Sequence, residues 1–119
     1  SKNKNKSTIN ENLLIQELIR GAIVKLTKQE IPYDAAVKIN KLNINQKIIT
    51  INASIYAGKI NQKKILIGKN GIMIKNIGIY AREVLERYFK KKVFLELSVS
   101  VKKDWKNKHH ILKDLGYIE

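Results

Sequence analysis

Residues 65–82 read Ile65-Leu66-Ile67-Gly68-Lys69-Asn70-Gly71-Ile72-Met73-Ile74-Lys75-Asn76-Ile77-Gly78-Ile79-Tyr80-Ala81-Arg82, a G-x-x-G turn between two apolar segments. Paired glycines let a backbone come close to a ligand. The amides that open a following helix then point outward and favour an anion such as phosphate. A polyanion is therefore the first partner to consider, and the rest of the chain agrees. Lys and Arg total 24 against 10 Asp and Glu, for a net charge of +14. A field of that sign draws a protein toward nucleic acid or an anionic membrane surface without choosing between them. The chain also favours Ile, Lys and Asn throughout, so part of the lysine excess reflects composition and not a partner.

From Gly71 onward Ile74, Ile77, Ala81, Val84, Leu85 and Tyr88 recur at helical spacing, and this predicts a long amphipathic helix ending at Lys90-Lys91-Lys92, cations that suit its C-terminal dipole. Val93, Leu95, Leu97, Val99 and Val101 then alternate as one face of a strand. Upstream of the turn, Gln62–Ile67 reads equally as a short helix or a buried strand, because periodicity does not separate the two in so short a run. Before it, Ile49, Ile51, Ala53 and Ile55 alternate with Thr50, Asn52, Ser54 and Tyr56, the period of a half-buried strand. Residues 35–43 predict another strand, joined to it by the polar turn Asn43-Ile44-Asn45-Gln46.

At the N-terminal side, Thr8 and Glu11 form a T-x-x-E capping signature. Leu14, Ile15, Leu18, Ile19, Ala22, Ile23 and Leu26 follow as a helical stripe that should stop before Pro32. Residues 1–8 lack periodicity and are expected to be an unstructured start, with a single domain over 9–119. Asp104 is expected to cap a last helix carrying Trp105, Ile111, Leu112 and Leu115, with Gly116 just past its end. The expected order is αββααβα, an α+β fold in which helices cover one face of a three-stranded sheet and the other face is partly solvated.

The chain has no cysteine, which excludes disulfides, thiolate catalysis and Cys-based zinc sites. No apolar run is long enough to span a bilayer, and the sequence starts without a secretory hydrophobic stretch, so the chain reads as cytoplasmic with at most peripheral membrane association. His109 and His110 fall on adjacent helix faces and lack the i, i+4 spacing of a metal pair. No serine, histidine and carboxylate set stands at diagnostic spacing, and no G-x-x-x-x-G-K-[ST] phosphate loop is present, so neither an enzyme nor a nucleotide-binding reading finds support.

A G-x-x-G loop between two helices in a ββααβ order resembles a KH domain, and the extra helix and strand at the N-terminal side match its type II topology. The segments Gln62-Lys63-Lys64, Ile67-Gly68-Lys69-Asn70-Gly71, Lys75-x-Ile77-Gly78, Ala81-Arg82, Val93-Phe94-Leu95-Glu96-Leu97, Val99-x-Val101-Lys102 and Leu115-Gly116-Tyr117 resemble, in order, the C-terminal part of the Era family of bacterial GTPases; Glu30-Ile31-Pro32-Tyr33 resembles the segment that ends its preceding helix. Ser98 departs from the tryptophan usual in that family, and Ala57-Gly58-Lys59-Ile60 from a more acidic stretch.

The resemblance implies an RNA-binding domain for the single-stranded 3′ end of 16S ribosomal RNA, serving small-subunit assembly, whose GTPase domain, with GTP and Mg, lies outside this chain. It implies that Gly68, Lys69, Asn70 and Gly71 clamp the sugar-phosphate backbone of about four nucleotides. Bases are then expected beside Ile65, Ile67, Ile72 and Met73, and base edges near Ile48–Ser54, with Lys63, Lys64, Lys75 and Arg82 on phosphates and Asn76 as a further polar contact. Other readings stand beside these. Ile65, Ile67 and Met73 serve equally as core, Gly78 as a helix-packing glycine, and Arg82 as a structural ion-pair partner. A KH-like module that docks on protein or ribosome without holding free RNA is the alternative function.

Overall fold

The alternation in residues 48–57 forms the central strand of the sheet: Ile49, Ile51, Ala53, Ile55 and Ala57 are fully buried, while Thr50, Asn52, Ser54 and Tyr56 point to the opposite, partly open face. The computed structural model describes residues 2–28 and 35–118, with side chains from Glu11 onward. Its elements are α1 (Lys2–Thr27), β1 (Ala35–Ile44), β2 (Ile48–Ala57), α2 (Ile60–Ile67), α3 (Ile72–Phe89), β3 (Lys92–Val101) and α4 (His109–Asp114). Short 3-10 turns occupy Lys69–Gly71 and Trp105–Asn107. This is the α+β fold and the αββααβα order expected, and residues 60–67 resolve as helix.

β1 and β2 pair antiparallel as a hairpin, turned by Asn45, whose Oδ1 accepts the amides of Lys47 (3.0 Å) and Ile48 (2.9 Å). Strand β1 therefore runs one residue past the expected end. β3 pairs with β2 in parallel, so the chain must cross over through α2, the G-x-x-G loop and α3 to begin it. The sheet order β1-β2-β3 leaves β3 at an edge. A bulge between Ile39 and Lys41 turns Asn40 outward, where its Nδ2 donates to Asn52 Oδ1 (3.0 Å) and Ser54 Oγ (2.9 Å). Ser98, the family departure, continues this polar row on the outer face at 3.2 Å from Ser54 Oγ.

One core lies between the inner sheet face and the stripes of three helices: Ile15, Ile19, Ala22 and Ile23 of α1, Leu66 of α2, and Ile77, Ala81 and Leu85 of α3. A smaller cluster of Ala36, Trp105, Ile111 and Leu115 lies apart from it and docks the C-terminal segment, with Tyr56 at its margin. Gln16 ties the two regions together, its buried Nε2 donating to the carbonyls of Val37 (2.7 Å) and Leu115 (2.8 Å).

Three expectations need correction or placement. The helix starts at Lys2, so Lys2–Ser7, expected to be unstructured, are helical backbone; adding turns to a helix already formed costs little, and lysine is a good helix former. Asp104 does not cap a continuous helix. It sits in the left-handed region (φ 57°) with its Oδ1 accepting from Asn107 Nδ2 at 2.7 Å, a 3-10 turn follows, and α4 begins after Lys108. α1 ends at Thr27, while Glu30-Ile31-Pro32-Tyr33 lie outside the described residues. Gly116 (φ 83°) does close α4, where the Tyr117 amide reaches the Leu112 carbonyl and the Gly116 amide that of Lys113, both at 3.0 Å.

Candidate nucleic-acid interface

The loop between α2 and α3 is closed by its own backbone, and the helix that leads into it is fixed by a side chain at its start. Gln62, three residues into α2, turns back so that Oε1 accepts the amides of Gly58 and Lys59, both at 3.1 Å, and fixes where the helix begins. At the far end the Gly68 amide donates to the Lys64 carbonyl (2.8 Å), and the Gly71 amide returns to the Gly68 carbonyl (3.2 Å). Between these bonds the backbone passes through Gly68 (φ 74°, ψ 176°), Asn70 (φ 57°, ψ 25°) and Gly71 (φ 76°, ψ 16°). Asparagine is among the few residues with a side chain that tolerate the left-handed region, so Asn70 has a conformational reason for its place as well as a chemical one.

The two glycines differ. A Cβ on Gly68 would stand 2.8 Å from Met73 Cβ and 2.9 Å from Met73 N, so this glycine is required by the close approach of loop and helix. A Cβ on Gly71 would meet nothing within 4 Å. The space beside Gly71 is open, at the N-terminus of an 18-residue helix with no acidic residue in its first turn. The positive end of its dipole favours an anion there, although the Ile72 amide already donates to the Lys69 carbonyl.

A groove leads away from the loop along α3. Ile74, Lys75, Gly78, Ile79 and Arg82 form one wall and the floor, and Leu95 and Leu97 of the edge strand β3 the other, around a cavity of ≈ 320 Å³. Lys75 and Arg82 are exposed, as is Lys69 in the loop, and none of them is engaged with a carboxylate among the described residues. The ion pair offered as the other role of Arg82 is not formed among the described residues.

Of the residues singled out in the sequence, the structure brings Gly68, Lys69, Asn70 and Gly71 together as one turn, with Lys75 and Arg82 beyond them along the groove. Lys63 and Lys64 lie on α2 and Asn76 on the exposed surface of α3. Ile65 and Met73 pack against the main core; Ile67 is half-buried and Ile72 is 51% exposed, and none of the four lines the groove. Residues 48–54 belong to the central strand, with their inward side chains buried and their outward ones on the far side of the sheet from α3. The apolar walls come instead from Ile74, Ile79, Leu95 and Leu97. One signal for them was present in the sequence: Ile79 is apolar yet off the core stripe of α3, and it is 40% exposed. Among the described residues no group of His, Cys, Asp or Glu could hold a metal ion, and no helix is long and apolar enough to cross a membrane.

Known proteins share this chain's sequence pattern and fold. A family described as KH domain matches residues 30–106. The GTPase Era of Alkaliphilus oremlandii is 47% identical over 109 residues and that of Halothermothrix orenii 44% over 108, each match covering 90% of this chain and 37% of the relative. Among solved structures, an Aquifex aeolicus Era variant bound to GDP and tetrafluoroaluminate superimposes with a TM-score of 0.83 at 35% identity. An Era in complex with MgGDPNP and nucleotides 1506–1542 of 16S ribosomal RNA gives 0.82, also at 35% identity. Both structures cover 91% of this chain, which spans 37% of theirs.

Proposed function

The chain belongs to the KH domain family, and from that membership we propose that it is the RNA-binding part of an Era-type ribosome-assembly GTPase, holding single-stranded RNA from the 3′ end of 16S ribosomal RNA. The observation that carries this reading is the continuity of an open, left-handed G-x-x-G turn with a cation-edged apolar groove. Phosphates meet the amides that open α3, with Lys69, Lys75 and Arg82 supplying charge and Asn70 a neutral donor. Lys63, Lys64 and Asn76 stand as flanking contacts, and the exposed Ile72 covers the sugar beside the loop. The bases enter between α3 and β3, where Ile74, Ile79, Leu95 and Leu97 offer apolar surface. An edge strand also leaves backbone donors and acceptors on its outward side, which suits the reading of base edges. Ile65, Ile67 and Met73 act from beneath by fixing the loop on the core.

The chain itself is a binding module and not an enzyme in this reading. GTP and magnesium belong to a GTPase domain carried by the longer relatives, the small ribosomal subunit is the assembly served, and the compartment is the cytoplasm. Titration of a labelled single-stranded oligonucleotide matching the small-subunit RNA 3′ end tests the proposal. Binding should depend on base sequence and weaken with salt. Lys69→Asp combined with Asn70→Asp sets like charge against phosphate while keeping residues that tolerate the turn, and it should reduce affinity by more than ~10-fold in a folded protein. Equal binding of a scrambled oligonucleotide would sink the sequence-specific reading, and no binding to free RNA would favour a docking module instead.

A further inference from the structure

Of the chain's asparagines only Asn70 is followed by glycine. Having no side chain, glycine is the neighbour that least hinders attack of its own backbone nitrogen on the asparagine side-chain carbonyl carbon, which closes a five-membered imide. Asn40, Asn45, Asn52, Asn61 and Asn107 hold their carboxamides in hydrogen bonds, whereas that of Asn70 is exposed and makes none among the described residues. The backbone adds a second observation. Asn70 (φ 57°, ψ 25°) and Gly71 (φ 76°, ψ 16°) are the central residues of a type I′ turn, closed by the Ile72 amide on the Lys69 carbonyl. In the imide the Gly71 nitrogen must eclipse Asn70 Cβ. Tetrahedral geometry at Cα then sets ψ, and with a positive φ the residue takes the first central position of a type II′ turn, about +60°, −120°. Asn70 therefore already has the φ that the ring requires, and only the peptide between residues 70 and 71 must flip. Turns of types I′ and II′ share the bond from fourth residue to first, so the flip keeps the Ile72 bond and breaks that of the Gly71 amide to the Gly68 carbonyl, which is long at 3.2 Å. A Cβ on Gly71 would meet nothing within 4 Å, so the flip has room.

We propose that Asn70 is a site of spontaneous deamidation that switches off the anion site at the start of α3. The Gly71 nitrogen bonds to Asn70 Cγ, the Cγ–N bond of the carboxamide breaks, and its nitrogen leaves as ammonia, taking the proton that the Gly71 nitrogen gives up. Water then adds to one carbonyl of the imide and breaks its bond to the Gly71 nitrogen, which recovers a proton. Opening at Cγ gives aspartate; opening at the backbone carbonyl gives isoaspartate, with one more atom in the main chain. Aspartate tolerates the left-handed backbone as asparagine does, and its carboxylate stands where the dipole of α3 attracts an anion. A tethered carboxylate then opposes phosphate, and isoaspartate displaces the turn itself. The effect on binding rests on the RNA-binding reading above, and the chemistry does not.

The experiment incubates the full chain in neutral buffer, folded or unfolded in urea, and then digests it with trypsin. Mass spectrometry and labelling by an isoaspartyl methyltransferase read the peptide 70–75, with the peptide 76–82, which carries the exposed Asn76 of α3, as the internal comparison. Conversion should accumulate in 70–75 and not in 76–82, with aspartate and isoaspartate both present. Its rate in the folded chain should be of the same order as in the unfolded one, because one peptide flip separates the turn from the reactive form. Asn70→Asp should melt no lower than the parent, and it should bind the single-stranded oligonucleotide several-fold more weakly. A folded chain whose 70–75 peptide stays unchanged overturns the site, since the turn then protects Asn70. Parental affinity in Asn70→Asp overturns the switch. A parent chain that binds no oligonucleotide while 70–75 converts overturns the RNA-binding reading and leaves the deamidation site standing.

Discussion

At the scale of single residues, the glycines of the G-x-x-G turn are interchangeable in the sequence and distinct in the structure. Gly68 combines a positive φ with a site where an added Cβ falls within 3 Å of Met73, and Gly71 has the positive φ alone. Gly68→Ala should therefore cost more than the left-handed penalty of about 1–2 kcal/mol, because φ 74° with ψ 176° is a region almost confined to glycine, with a further steric term as loop and α3 separate. Gly71→Ala should cost that penalty alone. Urea unfolding checks the order: the midpoint should fall more for Gly68→Ala, and equal midpoints would contradict it. If the open space beside Gly71 takes a phosphate as proposed, the functional ranking should be reversed per unit of stability lost, since a methyl there would enter it. The turn and its glycines were legible in the sequence; the difference between them was not, because it depends on how α3 departs from the loop. The same limit applies to the apolar residues beside the loop. Ile65, Ile67, Met73, Ile74 and Ile79 are all apolar residues near the loop, and only the packing decides which of them face the core.

Among the elements, the strands and long helices followed directly from their periods of two and 3.6. Period does not specify a strand's neighbour, however. That β3 runs parallel to β2 and stands at the edge, and so borders the groove in place of the Ile48–Ser54 segment, follows from a crossover that no local pattern records. α4 is a second case: six residues carry too few apolar positions to define a start, and the 3-10 turn at Trp105 displaced the expected cap. Its attachment depends on Gln16, which bonds carbonyls of β1 and of the residue that ends α4. Gln16→Ala leaves both carbonyls without that donor and should destabilise the fold by about 1–3 kcal/mol. The loss should appear first as faster hydrogen exchange in residues 109–117 and a shift in Trp105 emission. Exchange raised evenly across the sheet would mean that Gln16 serves the main core instead.

The same attachment should be sensitive to alkali. Burial, and then the nearby Glu17 carboxylate, hold the Tyr117 hydroxyl above its ordinary 10.0, against an opposing effect of Arg20; burial and Asp114 raise that of Tyr56. A raised pKa favours the neutral phenol in the folded state. The stability it contributes is full below the unfolded value of 10.0 and is lost as pH climbs through the folded one. Tyr117 lies 6.3 Å from the Trp105 ring, so Tyr117→Phe should hold the Trp105 signal to higher pH than the parent chain. Coincident transitions would exclude Tyr117 as the titrating group.

For the whole molecule, the question is how much of the +14 charge takes part in binding and how much only accompanies it. Release of counterions makes log K fall with log salt by about 0.7 for each phosphate neutralised on a single strand. If Lys69, Lys75 and Arg82 each neutralise one phosphate, the slope should be about −2, and it should reach about −3.5 if Lys63 and Lys64 join them. It should not approach the value that the whole net charge would give, because at physiological salt fields between exposed charges fade over ~8 Å. Two substitutions of equal charge separate the local from the global account. Lys75→Gln removes a cation from the groove and should flatten the slope by about 0.7. Lys113→Gln removes one from α4, in the segment docked through the separate Trp105 cluster, and should leave the slope unchanged while slowing association slightly through the weaker long-range field. If the two variants shift the slope equally, binding is a property of the overall charge and the groove has no privileged part in it. If only Lys75→Gln does, the lysine-rich composition brings the RNA near, and the few cations along α3 hold it.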